Sequence, residues 1–269
     1  MNDRILVAAH RGHFGGGIVE NTIPAFEAAI RCGADIVEMD IRKTKDGQLI
    51  LFHDPSPMRL LGLPGQTERY TYEELTRRPL LNVIGELSTS YVCRLGDALD
   101  ALKGRCFINF DQCWGFVDEV YEAARQRGME DQALIKGRVP YDTALRWLEK
   151  NDYRPAFIPI ITCAEEIAAY RALPEKVRVP IVEVFAHTDD DPVWDAALVC
   201  EIREKGAKIW VNSLSLSGRF TLCAWHDDNR SVTGDPEGGW GCLLERGAGV
   251  IQTDWAGELA AWLAQKQMR

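Results

Sequence analysis

Short apolar runs alternate with amphipathic segments along the whole chain, a pattern typical of repeated strand–helix units. The predicted strands are residues 4–9, 35–41, 106–111, 132–136, 156–161, 179–186, 208–212 and 249–253. The helical patterns between them include residues 22–32, 115–127, 141–150, 164–172, 193–205 and 256–266. Eight strands with crossover helices favour a TIM (β/α)8 barrel, and a doubly wound open sheet is the alternative.

Two stretches interrupt this alternation. Residues 54–96 begin with three prolines and continue into a polar, helix-like segment around residues 70–77. We interpret this stretch as a small insertion that caps the barrel mouth. Residues 213–240 are rich in serine, glycine and aspartate, which predicts a long loop. The predicted organisation is one barrel domain over residues 1–269 with an insertion at 54–96.

A ninth extended segment, residues 49–53, follows strand 35–41 too closely for a parallel crossover. The connection contains Asp46-Gly47, which is the strongest short signal for a two-residue hairpin turn. Such a turn pairs Lys45 with Gln48. The fold prediction is therefore a barrel with a small insertion after an extra hairpin strand.

The predicted hairpin register gathers chemically useful side chains. It places Asp40 opposite His53, and Glu38 shares their face because it lies two residues from Asp40. Adjacent buried carboxylates repel each other unless a cation lies between them. The alternatives are that both face water or that one is protonated. Carboxylate oxygens favour Mg²⁺ or Ca²⁺, and Asp111, at the carboxyl end of its strand, is the predicted third ligand.

The first strand ends in His10-Arg11-Gly12, followed by a glycine-rich run at residues 15–17. A histidine at this position can be a core residue bonded to the backbone or a site residue. Arg11 offers a fork-shaped guanidinium that suits phosphate. Arg11 is therefore a candidate phosphate contact, whereas the glycines can equally serve only to give the loop freedom.

Net charge limits the expected binding partners, and cysteine content indicates the cellular compartment. The net charge of −9 disfavours nucleic acid or an anionic membrane surface, so an anionic substrate requires a cation or a few basic side chains. The eight cysteines are scattered without a C-x-x-C pair, which indicates a reducing compartment. The chain reaches an apolar strand too early for a signal peptide, and no apolar run approaches the roughly 20 residues of a membrane span. We expect a cytoplasmic protein without stable membrane insertion.

Spaced motifs run through the chain. In the first part they are HRG at 10–12, ENT at 20–22, PAF at 24–26, GADIVEMDI at 33–41, TKDG at 44–47 and FHDP at 52–55. Fainter ones are YEEL at 72–75, LGDAL at 95–99, INFD at 108–111, WVN at 210–212 and GVIQTD at 249–254. Together they resemble the glycerophosphodiester phosphodiesterase family. The resemblance implies a TIM barrel, one divalent cation on Glu38 and Asp40, and an acid–base pair of His10 and His53.

By the same resemblance, Arg11 contacts the substrate phosphate and Glu20 lies at the cation or its waters. Two positions depart from the family pattern. The family usually has glutamate where this chain has Asp111, and lysine where it has Cys113. Aspartate still binds a cation, and the related spider-venom sphingomyelinase D enzymes look similar here. Lys136, at the end of the next strand, either replaces the missing phosphate-binding charge or is an ordinary rim lysine.

The resemblance implies hydrolysis of a small-molecule phosphodiester, a glycerophosphodiester, to glycerol 3-phosphate and an alcohol, for which a cation and an acid–base pair are suitable. Trp210 either stacks on the substrate or fills the barrel interior, and Glu183 is a possible further site carboxylate. One alternative is a lyase-type phospholipase D that converts lysophospholipids to a cyclic phosphate. The other is a non-catalytic barrel that binds phosphodiesters.

Overall fold

The structure is a computed structural model that describes residues 4–138 and 140–269. Its strands are β1 (Leu6–Ala9), β2 (Ile36–Lys43), β3 (Leu49–Leu51), β4 (Cys93–Arg94), β5 (Phe107–Asp111), β6 (Ala133–Gly137), β7 (Ala156–Ile161), β8 (Ile181–Val184), β9 (Lys208–Asn212) and β10 (Ala248–Thr253). Its α-helices are α1 (Ile23–Arg31), α2 (Met58–Leu61), α3 (Tyr72–Leu75), α4 (Leu95–Leu102), α5 (Val117–Arg125), α6 (Asp142–Lys150), α7 (Ala164–Arg171), α8 (Ala196–Glu204), α9 (Asp228–Val232), α10 (Cys242–Glu245) and α11 (Ala256–Gln265).

The predicted fold class is confirmed. Every predicted barrel strand is present, and the apolar runs locate the strand ends to within two residues. The fold is an eight-stranded parallel (β/α)8 barrel. The doubly wound alternative is therefore wrong.

The chain divides into two compact units. The N-terminal unit is Ala9–Ala133, and the C-terminal unit is the chain up to Ala8 with Leu134–Arg269. In the C-terminal unit the strand order is β1-β10-β9-β8-β7-β6, and the pairs from β10 to β6 are parallel. All residues of β7 are buried, as expected of a parallel strand that is covered on both faces.

In the N-terminal unit the strand order is β5-β2-β3-β4. β2 pairs in parallel with β5 and antiparallel with β3. Helix α1 begins after Thr22, whose hydroxyl accepts the N–H of Ala25, and Pro24 occupies the first turn, where its missing N–H costs nothing. This cap fixes where the chain turns after the first strand and its loop.

Residues 54–96 contain α2, α3 and β4 and form a small core of their own with β3. Its buried members are Val19, Ile50, Phe52, Leu60, Leu61, Leu75, Leu80 and Val92. Helix α3 begins with a reciprocal cap, because Thr71 accepts the N–H of Glu74 and the Glu74 carboxylate accepts the N–H of Thr71. That these residues cap the barrel mouth, and that residues 1–269 are one domain, stay predictions.

The hairpin between β2 and β3 differs from the predicted one. The N–H of Thr44 donates to the carbonyl of Gln48 at 2.9 Å, so three residues rather than two form the loop. The Thr44 hydroxyl accepts the N–H of Gln48 at 2.9 Å, which closes the longer loop. As a result, the N–H of Phe52 donates to the carbonyl of Asp40 at 3.0 Å. The prediction that His53 opposes Asp40 is wrong by one residue.

Residues 213–240 are more regular than predicted. Asp227 caps α9 by accepting the N–H of Arg230, and a π-helix at Glu237–Gly241 leads into α10. Buried Asp228 accepts hydrogen bonds from the Ser213 hydroxyl at 2.6 Å and the Trp240 indole at 2.9 Å. The prediction of one continuous loop is therefore wrong, because these polar side chains cap and anchor short helices.

Candidate active site

Two neighbouring strands of the N-terminal unit bring three carboxylates together. Glu38 and Asp40 lie two residues apart on β2 and share a face. In the parallel pair of β2 with β5, Asp40 is in register with Asp111. One oxygen from each of these three side chains lies within 4.8 Å of the others. A set of carboxylate oxygens at this spacing suits Mg²⁺ or Ca²⁺.

Without a cation, the negative charges of this cluster are unfavourable, because two of the carboxylates are buried and all three lie close together. Glu38 is 2% exposed and Asp40 is 1% exposed. Burial raises the pKa of Glu38 well above its ordinary value, and the charges of Asp40 and Asp111 raise it further, while Arg11 opposes them. A cation between the three oxygens would offset both the burial and the repulsion. The donor set therefore fits a divalent cation.

Three residues that hold the carboxylates have left-handed backbone conformations. Arg11, Asn21 and Gln112 each have a φ angle of 55°, which is uncommon outside glycine. The N–H of Arg11 donates to Oε2 of Glu38 at 2.8 Å. Asn21 Nδ2 donates to Oδ2 of Asp40 at 2.9 Å, and Gln112 Nε2 donates to Oδ1 of the same residue at 2.8 Å. Backbone strain of this kind concentrates at functional sites.

Arg11 begins a chain of ion pairs that leads away from the carboxylates. Its Nε lies 3.2 Å from Oδ2 of Asp40, and its Nη1 donates to Oε1 of Glu20 at 3.0 Å. Arg59 donates to both oxygens of Glu20 at 2.7 Å. Burial works against ionisation of Glu20, but the hydrogen bonds and charges of Arg59 and Arg11 prevail and lower its pKa. Glu20 is therefore held as a buried carboxylate between two guanidinium groups.

The chain of ion pairs ends at His53. Arg59 Nε donates to Oδ2 of Asp54 at 2.7 Å, and Nδ1 of His53 lies 2.7 Å from Oδ1 of Asp54. Burial opposes the ionised form of Asp54, but hydrogen bonds from Arg59 and His53 lower its pKa. Because an ionised carboxylate only accepts, Nδ1 carries a proton and Nε2 is the basic nitrogen of the neutral ring. The His53 side chain is 35% exposed, so solvent and substrate can reach it.

Arg42 fixes the backbone of the same histidine. It donates to the carbonyl of His53 through Nε at 3.1 Å and Nη2 at 2.6 Å. Its Nη2 also donates to Oε1 of Gln112 at 2.8 Å. Gln112 thus contacts both Arg42 and Asp40, which joins His53 to the carboxylates by a second route.

His10 follows directly after β1 and is half-buried. Its neighbour Arg11 bonds to Glu38 through the backbone, so the His10 backbone lies beside the acidic cluster. The predicted residues His10, Arg11 and Glu20 therefore belong to one segment around the carboxylates.

Asn109 carries a buried amide without a partner. It is in register with Glu38, two residues before Asp111, so all three lie on one face of the sheet. Asn109 is 0% exposed, and among the described residues neither its nitrogen nor its oxygen forms a hydrogen bond. An unpaired buried amide costs about 1–3 kcal/mol. Its place beside the carboxylates suits a site that receives a hydrated cation or a phosphate oxygen.

The sequence interpretation assigned no site role to Asn21, Arg42, Arg59, Asn109 and Gln112, although Asn21 and Asn109 lie within quoted motifs. Asn21 carried a usable signal, because asparagine tolerates the left-handed conformation better than most residues. The other four had none, since their partners depend on contacts between distant segments.

Lys136 and Trp210 lie in the C-terminal unit and are both buried. Lys136 Nζ donates to Oε1 of Glu183 at 2.7 Å and lies 4.2 Å from the centre of the Trp210 ring. The Trp210 indole donates to the side-chain oxygens of Asn212 and Gln252 at 3.1 Å. Lys136 is thus not an exposed rim lysine. That Lys136 and Trp210 bind substrate stays a prediction.

Comparison with known proteins supports the resemblance. The model of the glycerophosphoryl diester phosphodiesterase family matches residues 10–113, and a model of a domain of unknown function matches residues 157–263. Glycerophosphodiester phosphodiesterase from Bacillus altitudinis is 48% identical over 71 residues, which are 26% of this chain and 29% of that protein. Uncharacterized protein YqiK from Bacillus subtilis is 32% identical over 137 residues, which are 48% of this chain and 56% of that protein. The matched regions therefore span less than two thirds of these relatives.

Solved structures share the fold. A glycerophosphoryl diester phosphodiesterase from Parabacteroides distasonis has a TM-score of 0.79 and 21% identity, over 99% of this chain and 88% of that one. An Oleispira antarctica phosphodiesterase, in complex with the product sn-glycerol-3-phosphate, has a TM-score of 0.68 and 19% identity, over 97% of each chain. At these identities the similarity is evidence of the fold.

Fold and site together define a class: a (β/α)8 barrel with an acidic cluster suited to a divalent cation. Residues 10–113 match the model of the glycerophosphoryl diester phosphodiesterase family, and the chain is similar to curated proteins and solved structures that carry this name. In the described part of the chain, no helix combines the length and the hydrophobicity that crossing a membrane requires.

Proposed function

We propose that this protein hydrolyses glycerophosphodiesters to glycerol 3-phosphate and an alcohol, with one divalent cation. The observation that carries the proposal is the group of Glu38, Asp40 and Asp111, of which the first two are buried, with Arg11 beside it. Carboxylates recruit the cation, and a guanidinium suits the phosphate oxygens that remain. The match of residues 10–113 to the model of the glycerophosphoryl diester phosphodiesterase family supports the same reaction.

Glu38, Asp40 and Asp111 would hold the cation, which we propose is Mg²⁺ or Ca²⁺ because all three ligands are oxygens. When bound, it would neutralise phosphate charge and make the attacking hydroxyl or water more acidic. The residues around the site hold the proposed cation ligands in position. Asn21 and Gln112 orient Asp40 by hydrogen bonds, and the backbone of Arg11 orients Glu38.

His10 and His53 are the proposed acid and base. The Nδ1–H of His53 donates a hydrogen bond to Asp54, so Nε2 is available to take a proton or return one. Asp54 thereby orients the ring, as the carboxylate of a catalytic triad orients its histidine. One histidine removes the proton of the nucleophile, and the other protonates the leaving alkoxide.

The proposed substrate class and setting draw on the same comparisons. The Oleispira antarctica phosphodiesterase of this fold was solved with sn-glycerol-3-phosphate as its product, which supports a glycerol-bearing substrate. The eight cysteines are free thiols, which supports a reducing, cytoplasmic setting. There the protein would serve in the turnover of lipid-derived phosphodiesters.

The test is a product assay on the full chain with glycerophosphocholine, glycerophosphoethanolamine and glycerophosphoglycerol. Each is incubated with Mg²⁺, with Ca²⁺ and with chelator, and the products are identified by mass spectrometry. We expect linear glycerol 3-phosphate with cation and none with chelator. A cyclic phosphate would support the lyase alternative, and cation-independent binding without turnover would support the non-catalytic one.

Histidine variants test the roles within the site. We expect His10→Ala and His53→Ala each to reduce kcat by at least about 100-fold, the usual contribution of a general acid or base. His187→Ala is the control, because His187 is exposed and lies in the C-terminal unit. If both site variants stay within a few-fold of wild type, the proposed roles are wrong.

A further inference from the structure

A cluster of four polar side chains in the C-terminal unit has no part in the chemistry proposed above. Its members come from the loop after β8, the loop before α9, the first residue of α10 and the residue after that helix, and they are Asp189, His226, Cys242 and Arg246. The His226 ring is buried, whereas Cys242 is half-buried. The sulfur is therefore within reach of small molecules in solution while protein groups surround part of it.

The hydrogen bonds of His226 define its charge. Nδ1 lies 2.7 Å from the carbonyl oxygen of Gly238, which can only accept. Nε2 lies 2.8 Å from Oδ1 of Asp189. The hydrogen bond from His226 lowers the pKa of Asp189, and the charge of Arg246 lowers it further, so this carboxylate also only accepts. A ring that donates from both nitrogens carries a positive charge.

Arg246 brings a second cation to the same sulfur. Its Nη1 donates to the carbonyl of Asp189 at 3.1 Å, and its Nη2 donates to the carboxylate of that residue. Its Nε donates to Sγ of Cys242 at 3.4 Å. Nε2 of His226 lies 3.4 Å from the same Sγ. Two charged N–H donors therefore face the sulfur. A thiol accepts hydrogen bonds only weakly, so this arrangement suits a thiolate better.

The charges of the cluster also favour a thiolate. His226 and Arg246 each carry one positive charge, and Asp189 carries one negative charge. The neighbouring Arg230 and Asp235 form an ion pair at 2.8 Å and so cancel each other. One positive charge is left over, and a thiolate at the cysteine balances it. Cations beside a partly accessible sulfur are the surroundings in which cysteines become reactive.

The other cysteines provide a comparison within the same chain. Burial raises the pKa to about 12 and so keeps the thiol neutral in four of them, Cys93, Cys106, Cys113 and Cys223. Cys200, on α8, is exposed, but in the part of the chain that the structure describes no side-chain N–H donates to its sulfur. Accessibility alone therefore favours Cys200, whereas stabilisation of a thiolate favours Cys242.

We propose that Cys242 is a redox modification site, a thiolate that hydrogen peroxide oxidises to a sulfenate. The sulfur attacks one oxygen of the peroxide, so that an S–O bond forms and the O–O bond breaks. Sulfur is oxidised by two electrons and the peroxide is reduced. The displaced hydroxide takes the proton of the transferred oxygen and leaves as water. The sulfenate keeps the negative charge that His226 and Arg246 balance.

The test compares two cysteines in one sample of the wild-type protein. The reduced full chain is treated with hydrogen peroxide at pH 7 together with dimedone, which traps sulfenic acids, and each cysteine peptide is followed by mass spectrometry. We expect Cys242 to be labelled at least about tenfold faster than Cys200, because a free thiol is only a few per cent thiolate at this pH. Equal or slower labelling of Cys242 would overturn the proposal. The measurement needs no turnover, so its outcome is independent of the proposed hydrolysis.

Matched arginine variants test the cause of the reactivity. Arg246→Gln removes one of the two cations at the sulfur and should slow labelling of Cys242 about tenfold, with labelling of Cys200 unchanged. Arg230→Gln is the control, because Arg230 lies in the same segment but pairs with Asp235. It should stay within about twofold of wild type. Thermal melts establish that both variants are folded. Equal slowing in the two variants, or none in Arg246→Gln, would overturn the role of the facing N–H donors.

Discussion

Replacing Glu38 by glutamine removes one of three neighbouring negative charges and keeps the size of the side chain. The oxygens concerned lie within 4.8 Å of one another, and Glu38 is 2% exposed. At that separation, each pair of full charges repels by about 3.5 kcal/mol with an effective dielectric constant of about 20. Glutamine still accepts the N–H of Arg11, so the structural hydrogen bond survives.

The expected net effect is a more stable protein when no cation is present. Arg11 already offsets part of the repulsion, so we expect Glu38→Gln to gain about 1–3 kcal/mol at pH 8, within the range for neutralised buried charges. For a chain of this size the melting temperature should rise by roughly 2–8 °C. The same change removes a cation ligand and should abolish activity.

The sign of the pH dependence follows from the pKa of Glu38. Burial and the neighbouring charges raise it in the folded state, so the folded protein holds this proton to a higher pH than the unfolded chain does. The cation-free wild type therefore loses stability as the pH rises through the folded-state pKa. Glu38→Gln lacks this loss, so its advantage should shrink toward acidic pH.

Thermal melts followed by circular dichroism measure the change in stability and its dependence on pH and on the cation. Wild type and Glu38→Gln are compared in chelator at pH 8 and pH 5, and with saturating Mg²⁺ or Ca²⁺. Cation should stabilise wild type strongly and the variant weakly, because only a protein that binds it gains from mass action. Glu258→Gln, an exposed glutamate on α11, is the control. A variant that melts lower than wild type in chelator at pH 8, or gains as much from cation, would refute the reasoning.

Three further predictions concern the supports of the site. Asn109→Leu removes a buried amide without a partner, so the stability in chelator should stay the same or increase. Cation binding, measured by calorimetry, should weaken about tenfold, and an unchanged affinity would contradict the prediction. Gln112→Ala removes hydrogen bonds to two side chains of the site and should lower kcat about tenfold with saturating cation, and a change in KM alone would contradict a positioning role. Gly12→Ala should lower the free energy of unfolding, measured by urea denaturation, by about 2–4 kcal/mol, because φ is +87° and the new Cβ would lie 2.8 Å from Ala25. Gly16→Ala is the control: its new Cβ meets nothing within 4 Å, so the loss should be about 1 kcal/mol.

The barrel and the grouping of carboxylates could be reasoned from the sequence because both depend on short periodicities. Apolar runs of strand length predicted β2 and β5. Because side chains alternate between the two faces of a strand, Glu38 and Asp40 were expected on one face. The rule that barrel sites form at the carboxyl ends of strands then pointed to Asp111. Each step needed only residues within one strand or at its end.

The hairpin register shows where such reasoning stops. Asp-Gly predicts a two-residue turn, but the Thr44 side chain hydrogen-bonds to both Asp46 and Gln48 and stabilises a loop of three residues with Gly47 in the left-handed conformation. This shift of the register by one residue places Phe52, rather than the predicted His53, opposite Asp40. Side-chain competition inside a loop is a balance of about 1 kcal/mol, and turn statistics do not resolve it.

The departure from the family pattern after Asp111 has a structural explanation. In an extended strand, a residue two positions on would share the face of Asp111, which is where the family usually has lysine. Here Gln112 has a φ angle of 55°, so the alternation breaks. Cys113 turns into the core, where it is 1% exposed and burial raises the pKa of its thiol to about 12. The same turn lets the Gln112 amide reach Asp40, so this chain exchanges a charge at the site for a hydrogen bond that orients a proposed cation ligand.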